Sequence, residues 1–132
     1  MYEELIGKKE IQQQTVTREL LASSLKSGTV DVLATPYMIA LMEYAALMLI
    51  QPALPEDITS VGTSVNVTHL NPTPEKAVVR AEAELLETDG RRFVFHVAAY
   101  DESGIIGEGT HERCTVKRSR FAEKAAARRI SE

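Results

Sequence analysis

Tryptophan is missing from this 132-residue chain, cysteine occurs once, and three phenylalanines and four tyrosines are the whole aromatic complement. Each scarcity excludes something. Proteins that hold single-stranded nucleic acid stack its bases on aromatic side chains, and so few rings argue against that class. A net charge of −4 argues against a phosphate backbone as partner. The lone Cys114 cannot close an intrachain disulfide, and the opening MYEELIGKKE lacks the charged-then-apolar order of a signal peptide, so a reducing, cytoplasmic setting is expected. The longest apolar run, Pro36 to Ile50, is fifteen residues and contains Glu43. It falls short of the roughly 20 residues that span a bilayer, so no membrane anchor is expected. The histidines His69, His96 and His111 match no zinc-binding spacing, and no phosphate-binding glycine loop occurs.

A chain of this length suits one domain over residues 1–132, large enough to bury a core without disulfides. Its charge is uneven. Residues 117–132 hold six Lys and Arg against two Glu, so they carry +4 and the remainder carries −8. The basic end, KRSRFAEKAAARR, is expected to form a helix over about 119–130, either plainly solvated or placed to meet an anionic ligand. Thr35-Pro36 opens the apolar segment as an N-cap followed by a first-turn proline, and the helix is expected to stop near Gln51-Pro52. From SVGTSVNVTHL onward the period changes to two. That segment, AVVRAEAELLE, RRFVFHVAAYD and IIGEGTHERCTVK read as four antiparallel strands in a meander, with NPTPEK, TDG and ESG as turns. Before the helix, QQQTVTREL reads as an edge strand. An α+β architecture follows, in which a curved antiparallel sheet wraps a long apolar helix. This is the hotdog fold.

Glu43 is the one acid in that helix, and it marks either a solvated stripe or a buried carboxylate that needs a partner. Alternation along the first strand puts Val61, Thr63, Val65, Val67 and His69 on one face, expected to be buried, and Gly62, Ser64, Asn66, Thr68 and Leu70 on the other. His69 would then approach Glu43 and form a charge-assisted pair suited to proton transfer. Unaided, His69 reads as a strand-end histidine and Thr35 as a helix cap. The Thr35 hydroxyl also stands where free helix N–H groups favour developing negative charge. Gly62 marks either a bulge or a close approach of ligand to backbone. In GEGTHERC, Gly107 and Gly109 share a face with His111 and Arg113. Arg113 reads as a solvated arginine or as a carboxylate or phosphate ligand, while Cys114 reads as structural and His96 and His111 have no evident partners.

The segments TPYMIALMEYA, GTSVNVTHL with TP shortly after, GRRFVFHVAAYD and IGEGTHER, in this order from about Ala34 to Arg120, resemble the fluoroacetyl-CoA thioesterase-like family of hotdog proteins. The resemblance implies a homodimeric, cofactor-free acyl-CoA thioesterase with sites at the subunit interface. It places the catalytic groups on Thr35, Glu43 and His69, and the substrate-binding glycine and arginine on Gly62 and Arg113; the CoA phosphates would lie toward Arg113, with the basic C-terminal residues as a further contact. Between Glu19 and Ala34 there is no aromatic residue to form a lid over a very small halogenated acyl group, so a broader short-chain acyl-CoA substrate is expected. Glu43 would activate water or attack the carbonyl itself; both roles need the same carboxylate in the same place. Two other classes compete. A hotdog enoyl-CoA hydratase or dehydratase would use a histidine and an acid, and a non-enzymatic acyl-CoA-binding protein would keep the basic groups without needing the acid.

Overall fold

A computed structural model describes residues 1–129. Five strands form one antiparallel sheet: β1 (Lys9–Thr15), β2 (Ile58–His69), β3 (Val78–Thr88), β4 (Arg92–Asp101) and β5 (Gly104–Lys117), in the order β1-β3-β4-β5-β2. Three α-helices accompany it: α1 (Ala22–Leu25), α2 (Thr35–Ile50) and α3 (Arg118–Ala127). Helix α2 lies across the concave face, mainly over β3 and β1.

The core follows from two periodicities meeting. Helix α2 buries Met38, Leu41, Met42, Ala45, Ala46 and Ile50, the i, i+3, i+4 stripe of a helix. Beneath it, Val79, Ala81, Ala83 and Leu85 of β3 and Phe93, Phe95, Val97 and Ala99 of β4 are buried at every second position. The alanines on both sides let helix and sheet approach closely, while the two phenylalanines fill the space beside them. The β3–β4 turn is closed by Gly90 at φ +94° and by the Asp89 carboxylate, which accepts from the backbone N–H of Arg91 and Arg92.

Three sequence expectations are corrected. The four later strands are not a simple meander: β3, β4 and β5 are successive neighbours, but β2 pairs with β5 at the opposite edge. Residues 70–77 therefore form a crossover, not a turn. Two prolines oppose a tight hairpin in this connection, and it is held in passing, since the Thr73 carbonyl accepts from Leu33 N–H (2.8 Å) and its buried hydroxyl donates to Asp101 (2.8 Å). The valine row is also split. Between Gly62↔Arg113 and Ser64↔Glu112 the register slips by one residue, so Thr63 is a bulge. The extra residue puts Gly62 on the helix side with Val65, Val67 and His69, and turns Val61, opposite Cys114, to the outer side. Val65 remains 38% exposed because β2 is an edge strand.

Thr35 is not the N-cap. Ala34, extended at φ −71° and ψ 137°, holds that position without a side-chain cap, and Thr35 is the first helical residue with Pro36 next. At the other end α2 stops at Ile50 and continues as a 3-10 turn, Gln51–Ala53, tied to β2 by Gln51 donating to the Ile58 carbonyl (3.0 Å). The expected C-terminal helix spans Arg118–Ala127 and buries no residue; the last position expected for it, 130, lies outside the described residues. Its start is pinned by Arg118, which donates from its backbone to Asp57 and from its side chain to Glu56. Among the described residues, no helix is long and apolar enough to cross a membrane.

Candidate active site

Glu43 leaves the middle of α2 toward β2 and β5, where two strand positions have made room for it. Gly62 is one: a methyl group there would overlap the Glu43 carboxylate and crowd His111. Arg113 is the other. Its guanidinium, 6% exposed as a residue, donates from Nε to Ser60 Oγ (2.8 Å) and from Nη2 to the Ser60 carbonyl (2.9 Å), leaving Nη1 3.6 Å from Glu43 Oε2. A buried cation requires a counter-charge, and Glu43 supplies it. The Glu43 side chain is still 38% exposed, so one carboxylate serves as counter-ion and remains open to a ligand.

His111 completes this group, although the sequence alone shows no partner for it. It is 1% exposed, stacked against Phe95, and 4.0 Å from Glu43 through Nε2. Its Nδ1 lies 2.8 Å from the Ser64 carbonyl, which can only accept, so Nδ1 carries the proton. Nε2 then presents a lone pair to Arg113 Nη1 at 3.2 Å. Burial pushes the His111 pKa below its ordinary value and Arg113 pushes the same way, against the Ser64 bond and Glu43. The ring is thus held neutral with a defined tautomer. Burial also lowers Arg113, with Glu43 acting against it. The signal for His111 was present in the sequence, since it alternates with Arg113 on the face that carries Gly107 and Gly109.

A second group lies at the start of α2. Thr35 Oγ1 and His69 Nδ1 are 2.7 Å apart, while His69 Nε2 is buried without a hydrogen-bond partner. Burial lowers the His69 pKa, opposed in part by a bond with the Asn71 backbone. Both residues line a cleft of about 290 Å³ with Leu33, Asn71 and Pro72. The freedom of Thr35 to make this contact follows from its position inside the helix, where capping makes no claim on its hydroxyl.

The five site residues expected from the sequence therefore assemble as two groups, Glu43 with Gly62 and Arg113, and Thr35 with His69. The expected Glu43–His69 pair does not form within one chain. His69 lies seven residues beyond Gly62 on β2, about 23 Å of strand at ~3.3 Å per residue, whereas Gly62 itself is at the Glu43 carboxylate. Arg113 is turned to the interior by Ser60, with Nη1 toward Glu43. Among the described residues, no cluster of three His, Cys, Asp or Glu side chains is placed to hold a metal ion.

The sequence profile of the fluoroacetyl-CoA-specific thioesterases matches residues 16–119, which include every residue of both groups. The chain belongs to that family. A fluoroacetyl-CoA thioesterase from Streptantibioticus cattleyicolor is 39% identical over 94 residues, 71% of this chain and 68% of the relative. A solved structure of the fluoroacetyl-CoA thioesterase FlK superposes with a TM-score of 0.91 at 30% identity, covering 95% of this chain and 97% of that one. Variants of FlK have been solved with acetyl-CoA and with fluoroacetate and CoA. A Thermus thermophilus member of the thioesterase superfamily superposes with a TM-score of 0.86 at 29% identity, covering 96% of this chain and 94% of the other. The hotdog reading of the fold agrees with these matches.

Proposed function

We propose that this protein hydrolyses a short-chain acyl-CoA thioester to the free acid and CoA, at sites shared between two subunits of a homodimer in a reducing cytoplasm. The observation that carries the reading is the Glu43 carboxylate, half-open in an otherwise apolar helix, facing a side-chain-free Gly62 and balanced by buried Arg113. Family membership supports the thioester as substrate. In the reaction, water or Glu43 itself attacks the carbonyl carbon; with water, the carboxylate takes its proton. The carbonyl oxygen gains negative charge and is stabilised by the Thr35 hydroxyl and by the positive end of the α2 dipole, where the Thr35 backbone N–H precedes Pro36. Collapse of the tetrahedral species breaks the C–S bond and releases the CoA thiolate; where Glu43 is the nucleophile, water then hydrolyses the mixed anhydride to the free acid and restores the carboxylate, and on either route the proton lost by water reaches the thiolate through neutral His69. Arg113 keeps a positive charge beside Glu43, and neutral His111 accepts from Arg113 and offers the carboxylate no competing proton.

The size of the cleft beside Thr35 and His69, about 290 Å³, favours a small acyl group, and its lining includes no phenylalanine or tyrosine. That supports a substrate range wider than fluoroacetyl. The dimer is supported by the separation of the two groups, by the free outer edge of β2, and by the apolar stripe of α2 left open in one chain, where Tyr44 is 48% exposed. The deciding experiment follows free-thiol release from acetyl-, fluoroacetyl-, butyryl- and longer acyl-CoAs, with enoyl-CoA absorbance read in parallel. Thiol release that falls with chain length is expected. Absorbance change without thiol would make the protein a hydratase, and binding without either would make it a carrier.

A further inference from the structure

Among the described residues four polar or charged side chains are buried: Ser60, Thr73, His111 and Arg113. Three of the four belong to one array that ends on Glu43, and Ser60 stands at its far end. Ser60 holds a whole edge of the Arg113 guanidinium: Nε donates to its Oγ (2.8 Å) and Nη2 to its carbonyl (2.9 Å). One hydrogen bond would let the planar group pivot about its axis, whereas two bonds to the same residue fix the plane. The remaining nitrogen, Nη1, is thereby aimed, at 3.2 Å from His111 Nε2 and 3.6 Å from Glu43 Oε2. Both Ser60 and Arg113 are buried, so bulk water does not compete for these bonds.

The ladder explains the reach. Arg113 of β5 lies opposite Gly62 of β2, and Ser60 is two residues before Gly62, on the same face. A Cβ at Gly62 would stand 3.6 Å from Nη1, so the guanidinium passes beside the one position of β2 without a side chain. A backbone carbonyl is present at any strand residue and needs no serine to supply it. The hydroxyl is therefore the part of the clamp that depends on the side chain at position 60.

We propose that Ser60 is a positioning residue of the reaction, acting through Arg113 to fix where the Glu43 carboxylate stands for attack. The inference rests on the thioesterase reading and adds the residue that orients its base or nucleophile. Without the hydroxyl, Arg113 keeps its charge and its bond to the Ser60 carbonyl, but turns about that single bond and carries Nη1 away from Glu43. Substrate feels the loss only through Glu43, because Ser60 is buried with its hydroxyl on Arg113.

The test compares Ser60→Ala, Ser60→Thr, Glu43→Gln and the double variant Ser60→Ala/Glu43→Gln in thiol release from acetyl-CoA. Ser60→Ala should lower kcat roughly tenfold with KM within about twofold, and Ser60→Thr, which keeps the hydroxyl, should recover most of the rate. On the Glu43→Gln background, adding Ser60→Ala should change the residual rate by less than about twofold, because the group it positions is already gone. An unchanged kcat in Ser60→Ala, or the same tenfold loss on both backgrounds, would overturn the positioning role. Nitrogen-15 NMR of the Arg113 side chain, assigned with Arg113→Lys, reads the clamp without turnover. Nη1 and Nη2 should give separate signals in the wild type, because rotation about Nε–Cζ is blocked, and exchange with each other in Ser60→Ala. Merged wild-type signals, or signals unchanged in Ser60→Ala, would overturn the clamp whatever the activity. A clamp seen by NMR in a protein that releases no thiol would uphold the hold of Ser60 on Arg113 and remove the hydrolase reading instead.

Discussion

A carboxylate in the most apolar helix of the chain is tolerated because the residues around it divide the cost. Arg113 supplies the charge, Gly62 supplies the space, and the side left open supplies solvent or substrate. Glu43→Gln keeps the shape and removes the base, so turnover should fall at least about 100-fold while the circular dichroism spectrum is kept. A folded Gln variant with near-normal turnover would reduce Glu43 to a counter-ion. Gly62→Ala tests the space alone. Its methyl group displaces the carboxylate without removing it, and kcat/KM should fall on the order of 100-fold, the usual cost of misplacing a reacting group by about an ångström. His111 adds a pH dependence whose sign is determined. Its folded pKa lies below the ordinary 6.5, so below about pH 6.5 the unfolded chain takes up a proton that the folded chain refuses. Stability falls as pH falls through that window and levels off only below the folded pKa. Urea midpoints at pH 7, 6 and 5 should show a shallower decline for His111→Gln than for the wild type; equal slopes would mean that the ring is not held neutral.

At the scale of elements, the apolar helix and the period-two strands were legible because each pattern is local and admits one packing partner. Two features depended on residues distant in sequence and were not. The crossover at 70–77 looks like a turn until β5 is seen to offer β2 an edge, and the Thr63 bulge leaves no mark except the neighbouring glycine. That bulge altered the site reading, because it moved Gly62 to the inner face while the uninterrupted alternation placed it outside. Glu43 and Arg113 were legible as chemistry, whereas His111 had no visible partner until β5 turned its alternate residues inward. The start of α2 gives a direct test of one such correction. If Thr35 capped the helix, losing its hydroxyl would cost about 1 kcal/mol. In the structure Ala34 is the cap and the hydroxyl meets His69. Thr35→Val should therefore shift stability by less than about 0.5 kcal/mol in urea melts while lowering turnover. A loss of stability near the full capping value would restore the cap.

The whole molecule raises a question of distance. Thr35 and Glu43 stand eight residues apart on one unbroken helix, about 12 Å along its axis at 1.5 Å per residue. His69 accompanies Thr35, and His111 and Arg113 accompany Glu43, so one chain presents two half-complete groups. A single thioester carbon is attacked at one point, and its oxygen lies within a bond length of that point. Two chains related by a two-fold axis, with their α2 helices antiparallel, would set the Thr35 end of one helix beside Glu43 of the other. The same arrangement pairs the free β2 edges and covers the apolar stripe that carries Tyr44. Subunit mixing tests it: Glu43→Gln and Thr35→Ala proteins, each nearly inactive alone, are combined under conditions where exchange is proven by mass spectrometry of labelled chains. A mixed dimer with shared sites has one site lacking both groups and one with both intact, so activity should return at about half the wild-type value per mixed dimer. Sites built within a single chain would each lack one group in every combination, and the mixture would stay as inactive as its parts.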